Sequence, residues 1–154
     1  MPKTTLKRTD STNPDFQKLV ALLDNYLTGV NGENDAFFSQ FNTIDALHHV
    51  LVAYSDGVPV GCGAFKPYSE NTVEIKRMFV LPEFREQGIA RQILKNLEYW
   101  AEESNFDFCI LETSKNMEDA VKLYQKSGYA TIQNYGQYKD IESSVCMKKY
   151  ISEI

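Results

Sequence analysis

Met78-Phe79-Val80-Leu81-Pro82-Glu83-Phe84-Arg85-Glu86-Gln87-Gly88-Ile89-Ala90-Arg91 is the segment from which the rest of the chain can be read. An apolar, β-branched run stops at Pro82, a short polar loop follows, and from Ile89 onward apolar residues recur at helical spacing. A strand, a tight loop and a helix start in that order aim several unpaired backbone N–H groups at one point, beside the positive end of the helix dipole. Gly88 and the small Ala90 let phosphate oxygens approach the main chain closely, so the junction is expected to seat a pyrophosphate. Two familiar phosphate loops are excluded. A Walker loop needs Gly-Lys-Ser/Thr here, and a dinucleotide fingerprint needs three glycines near the first strand of the fold.

Upstream, Val73 to Leu81 reads as a strand, preceded by a turn at Ser69-Glu70-Asn71. Before that, Val50 to Tyr54 and Val58 to Phe65 flank Ser55-Asp56-Gly57, the signal of an antiparallel hairpin. Thr4 to Arg8 reads as a short extended segment, and Thr12-Asn13-Pro14-Asp15 caps a helix expected through about Leu27. Asn31 to Asp35 reads as a loop, and Ala36 to Leu47 is left open, a poorly specified second helix being one reading. Downstream, Ile89, Ile93, Leu94, Leu97, Trp100 and Ala101 form the apolar face of a helix whose polar face carries Arg91, Gln92, Lys95, Asn96, Glu98, Glu102 and Glu103. Phe106 to Thr113 then reads as a strand parallel to Val73–Leu81, completing a βαβ unit. A helix from Met117 to Lys126, stopped by Gly128, and two strands, Tyr129–Tyr135 and Ser143–Tyr150, follow. The expected fold class is mixed α/β: an antiparallel front half, then the βαβ unit, in a central sheet of about six to seven strands flanked by helices. Residues 1–154 are read as a single domain.

The composition agrees with such a domain. The chain has 154 residues, 43% hydrophobic and 24% charged, enough to bury a core without disulfides or a structural metal. A formal charge of -5 with no Lys/Arg block argues against a general nucleic-acid binder. Three scattered cysteines, Cys62, Cys109 and Cys146, suit a reducing compartment, and no metal is expected: adjacent His48 and His49 point to opposite faces of an extended segment. Without a signal-like or membrane-length apolar run, the expectation is a cytoplasmic, unanchored protein with no membrane partner.

Arg85-x-x-Gly88-x-Ala90, preceded by Val80-x-Pro82, resembles the acetyl-CoA signature of the GNAT N-acetyltransferase superfamily. Ala120-x-x-Leu123-Tyr124-x-Lys126-x-Gly128-Tyr129 is similar to a second segment of the same family. Tyr135-Gly136-x-Tyr138 and Ser144-x-Cys146-Met147-x-Lys149 look like a branch of small bacterial members. The resemblance implies a GNAT fold, acetyl-CoA as cosubstrate, and transfer of its acetyl group to a primary amine of a small molecule or peptide by direct attack in a ternary complex. It also implies a monomer or homodimer. A coenzyme A-binding sensor without catalysis, or transfer of a longer acyl group, stands as the alternative.

That chemistry sets three demands. An amine of solution pKa about 10.4 must lose a proton before it attacks, which calls for a carboxylate. The resemblance points to Glu74, on the strand before the loop, with Glu112 as second candidate; the plain alternative is a Glu74 paired with Lys76 or Arg77. Negative charge on the thioester oxygen needs a preplaced donor, which the resemblance assigns to main-chain N–H groups of Met78, Phe79 and Val80. The departing thiolate needs a donor beside sulfur, and Tyr124 matches the family's general-acid tyrosine. Cofactor contacts are expected from Arg85, Glu86, Gln87, Gly88, Ile89, Ala90 and Arg91, from Asn116 at the pantetheine arm, and from Tyr124. Tyr135 and Tyr138 would border the acceptor or be exposed loop aromatics, and Cys109 reads as packing.

Overall fold

The computed structural model describes residues 3–31 and 46–152. Most of Ala36–Leu47, with the second helix that is one reading of it, therefore lies outside the described residues. The chain forms two compact units, Met1–Lys66 with Ile75–Leu97, and Pro67–Glu74 with Glu98–Ile154.

In the first unit, β1 (Thr4–Thr9) pairs antiparallel with β2 (His49–Ser55), Thr4 opposite Ser55 and Thr9 opposite Val50. β2 pairs antiparallel with β3 (Val58–Ser69) through the Asp56-Gly57 turn, where both residues have positive φ (49° and 84°), as a two-residue hairpin loop requires. β4 (Thr72–Val80) is next in the order β1-β2-β3-β4. Helix α1 (Pro14–Asn31) begins as its sequence directs: Asn13 Oδ1 accepts the Phe16 N–H at 3.0 Å, Pro14 opens the first turn, and Asp15 faces the dipole. Its Phe16, Leu19, Val20 and Leu23 are buried with Val50, Val52, Cys62, Ala64 and Phe79. The helix runs one turn beyond the expected end near Leu27. Helix α2 (Ile89–Glu103) buries Ile93, Leu94 and Leu97. It comes so near β3 that a Cβ on Gly63 would lie 2.8 Å from Ile93 Cγ2 and 3.0 Å from Leu97 Cδ1. Gly63 thus sets the depth at which this helix packs.

In the second unit, Thr72, Val73 and Glu74 of β4 pair parallel with Phe108, Cys109 and Ile110 of β5 (Phe108–Ser114). β5 pairs antiparallel along its whole length with β7 (Ser144–Tyr150), which in turn holds β6 (Ala130–Ile132), giving the order β4-β5-β7-β6. Counted over the described residues, the sheet has seven strands, with α3 (Glu118–Lys126) as the third helix. The mixed α/β class and the parallel βαβ pairing are as expected, with two corrections. The strand expected over Tyr129–Tyr135 is only Ala130–Ile132, because Asn134 Nδ2 turns to donate to the carbonyls of Ile141 and Ser144 at 3.1 and 3.2 Å. Glu98, expected on the polar face of α2, is only 2% exposed: it follows Leu97 and lies one turn beyond Leu94, and both its oxygens are engaged, by Lys149 Nζ at 2.7 Å and by the Tyr129 hydroxyl at 2.8 Å.

Candidate active site

The parallel ladder between β4 and β5 ends at Glu74. Three residues on, Arg77 adopts a positive φ of 60°, rare for a residue with a Cβ and strained within a strand. What pins it is tertiary: its carbonyl accepts the Cys62 thiol at 3.3 Å, and its Nη1 donates to Asp24 Oδ1 of α1 at 2.7 Å. Among the described residues Nη2 is buried without an acceptor. Arg77 is thus engaged by Asp24 rather than by Glu74. After this kink come Met78, half-buried, and Phe79 and Val80, both buried.

The loop that follows is built from short local preferences. Pro82–Phe84 is one 3-10 turn, Arg85 is extended, and Glu86 and Gly88 both have positive φ, 64° and 79°. A Cβ on Gly88 would meet nothing within 4 Å, so glycine is wanted there for backbone conformation and for whatever approaches from outside. The first N–H bonded within the helix is that of Gln92, to the Gly88 carbonyl at 3.1 Å, which leaves the amides of Ile89, Ala90 and Arg91 at the open end. No acid stands in that first turn, so an anion there meets the dipole unopposed. Ile89 is buried; Glu86, Gln87, Gly88 and Arg91 are exposed. Arg85 Nε donates to the Val80 carbonyl at 2.8 Å, with its guanidinium carbon 5.6 Å from the Tyr26 ring centre and 5.7 Å from that of Phe79. This ties the loop back to the end of β4.

The second unit holds the titratable groups. Glu74 is 3% exposed and accepts the Tyr135 hydroxyl at Oε2, 2.7 Å away. Tyr135 stands edge-on to Tyr138 (5.7 Å) and to Tyr68 (5.3 Å). Neither Tyr135 nor Tyr138 is an exposed loop aromatic: Tyr138 is buried and Tyr135 half-buried. On β5, Glu112 Oε2 accepts the Ser144 hydroxyl at 2.7 Å. Tyr124, on α3, is buried and packs edge-on to Tyr129 at 6.0 Å. Burial, and secondarily the charge of Glu112, push its phenol well above the ordinary range, so it stays protonated. Burial does the same to Tyr138, reinforced by Glu112 and Glu74, and raises the Cys146 thiol to about 11. Asn116 is exposed in the turn before α3, its N–H bound to Ser114 Oγ at 3.1 Å, and Lys126 is also exposed. His49 stacks on Phe65. Among the described residues no group of three or more His, Cys, Asp or Glu side chains is placed to hold a metal, and no helix is long and apolar enough to cross a membrane.

Three features escaped the sequence reading: the Arg77 kink with Asp24, the Tyr135–Glu74 bond, and the buried Glu98 centre. Only the second left a trace, in the clustered tyrosines of Tyr135-Gly136-Gln137-Tyr138.

Residues 16–129 match the family model described as Acetyltransferase (GNAT) family. The chain is 30% identical over 151 residues to an IAA acetyltransferase of Azospirillum brasilense, covering 97% of this chain and 99% of that one. A Klebsiella pneumoniae protein assigned to the acyl-CoA N-acyltransferases has the same fold at a TM-score of 0.80 with 28% identity, over 96% of this chain and 97% of the other. The fold is also that of a GNAT family acetyltransferase of Elizabethkingia anophelis solved with acetyl-CoA bound, at a TM-score of 0.67 with 20% identity, over 96% and 97% of the two chains.

Proposed function

Since this chain belongs to the GNAT acetyltransferase family, and is thereby an acetyl-CoA-dependent acyltransferase that N-acetylates its acceptor, we propose that the acceptor is a primary amine that attacks the thioester directly in a ternary complex. We read the whole chain as one catalytic domain, because the family match runs through both compact units.

The observation that carries the proposal is the junction of β4 and α2, where two positive-φ residues and three amides at the open helix end form an anion cradle with no acid in the first turn. In this reading the amides of Gln87 through Arg91 hold the cosubstrate's diphosphate. Arg85, braced on Val80, adds charge, and Asn116 touches the pantetheine arm. Glu74 takes a proton from the ammonium, the nitrogen lone pair forms the new N–C bond, and charge gathers on the thioester oxygen. A main-chain N–H among Met78, Phe79 and Val80 receives that charge. The oxygen's charge returns to re-form the carbonyl as the C–S bond breaks, the Tyr124 hydroxyl gives its proton to the departing thiolate, and the acylated nitrogen sheds its second proton to solvent, from which Tyr124 is reprotonated. Glu74 is favoured over Glu112 because it sits at the last rung of the ladder, directly before the kinked part of β4.

The test is thiol release from acetyl-CoA against amino acids, polyamines, aminoglycosides, peptide N-termini and IAA, the acceptor named for the Azospirillum relative. Propionyl-CoA run in parallel reads the acyl length. Release stimulated by an amine, with intersecting initial-velocity lines, is the expected result. Parallel lines would signal a covalent acyl-enzyme and overturn direct attack. Binding of acetyl-CoA with no amine-stimulated release across the panel would overturn the primary-amine acceptor.

A further inference from the structure

A carboxylate as buried as Glu74 is costly to keep charged unless its ionised form is hydrogen-bonded. The donor comes from 61 residues away, from the coil between β6 and β7 rather than from a neighbouring strand. That coil is built to present it. Asn134 ties the backbone just before Tyr135 to Ile141 and Ser144. Tyr135 itself is extended (φ -116°, ψ 164°) and leads into the 3-10 turn Gly136–Tyr138. Gly136, at φ 51°, passes under Tyr68, whose hydroxyl would be 3.7 Å from a Cβ there. The Tyr135 ring is thus clamped edge-on by Tyr138 and Tyr68, with its hydroxyl already aimed at Oε2.

We propose that Tyr135 is a positioning residue for Glu74, pinning Oε2 so that Oε1 is the oxygen that takes the amine's proton. The proton balance is simple: one N–H bond of the ammonium breaks, an O–H bond forms at Oε1, and the neutral amine keeps its lone pair. Tyr135 does not itself act as the base. Burial and the adjacent Glu74 charge hold its phenol far above the ordinary range, so it donates at any working pH. Among the described residues the Glu74 charge reaches Tyr138 of the 3-10 turn and Cys146 of β7, both of which Glu112 of β5 also reaches, while Tyr68 of β3 stands against the Tyr135 ring and Lys76 lies two residues along β4. Both carboxylates raise Tyr138 and Cys146, so the donor from Tyr135 acts within a negative surrounding.

The inference rests on Glu74 as proton acceptor, and its test separates the two ideas. The carboxyl 13C resonance of Glu74 is assigned by its absence in Glu74→Gln and titrated in the wild-type protein and in Tyr135→Phe, with thermal melting to check the fold. Losing a donor to the charged form should raise the midpoint in Tyr135→Phe above that of the wild-type protein. Acidifying the phenol with 3-fluorotyrosine at position 135 should move it the other way, which supplies a second reading if the phenylalanine variant fails to fold. A midpoint unmoved by either change overturns the positioning role, whereas full turnover by Glu74→Gln overturns the base assignment beneath it.

Discussion

Gly88 and Tyr124 show how different two legible residues can be. The space around Gly88 is open, so its replacement by alanine strains only the backbone, at about 1–2 kcal/mol of stability, a loss readable in a urea denaturation curve. The added methyl stands where the cradle meets its anion, so acetyl-CoA affinity in a calorimetric titration should fall about tenfold or more, equivalent to at least 1.4 kcal/mol. Tyr124→Phe removes only a hydroxyl held protonated by burial. Its effect should appear as a loss of kcat, about 100-fold or more, carried equally into kcat/KM. A rise in KM for acetyl-CoA with kcat intact would mean that Tyr124 binds the cosubstrate without assisting its departure. Both residues stood out in the sequence because a glycine at a loop-to-helix junction and a tyrosine within a helical motif are local signals. Arg77 did not: nothing in Ile75-Lys76-Arg77-Met78 announces a positive φ, which follows from Cys62 and Asp24, far away in the chain.

Among the elements, α2 and β7 show where periodicity succeeds and where it misleads. The spacing of Ile93, Leu94 and Leu97 located the helix and its buried face. The same pattern sent Glu98 to solvent, because hydrophobic spacing counts a carboxylate as polar whatever partner it finds. Lys149 on β7 and Tyr129 before β6 supply those partners. Lys149→Met should therefore lower stability by about 3 kcal/mol, the low end for orphaning a buried charge, since Lys149 keeps 20% of its side chain exposed. Combining it with Glu98→Gln should recover much of that loss, and urea midpoints of both proteins give the check. If the single variant costs nothing, the pair is ornamental. The shortened β6 has the same lesson: Tyr129 to Tyr135 is rich in strand formers, yet the Asn134 side chain finds better acceptors in Ile141 and Ser144 than a longer ladder would offer.

On the scale of the whole molecule, buried thiols tie stability to alkaline pH. Burial raises Cys62 and Cys109 from an ordinary 9.0 to about 12. An acid whose folded pKa is raised stabilises fully below the unfolded value, and that contribution is lost as pH climbs toward the folded one. Between pH 9 and 10 the unfolding free energy should therefore drop by up to about 1.4 kcal/mol per thiol per pH unit, a slope that Cys62→Ala should flatten. Denaturation curves at pH 8, 9 and 10 measure it.

Element types, the loop between β4 and α2, and the family motifs were legible because each depends on residues adjacent or one helical turn apart, and local backbone preference acts over that range. The donor on Glu74, the twist at Arg77, the burial of Glu98 and the place of β7 between β5 and β6 depend on groups tens of residues apart. Such pairings are settled by which packing leaves the fewest buried polar groups unanswered, and only the folded chain brings those groups within reach of one another.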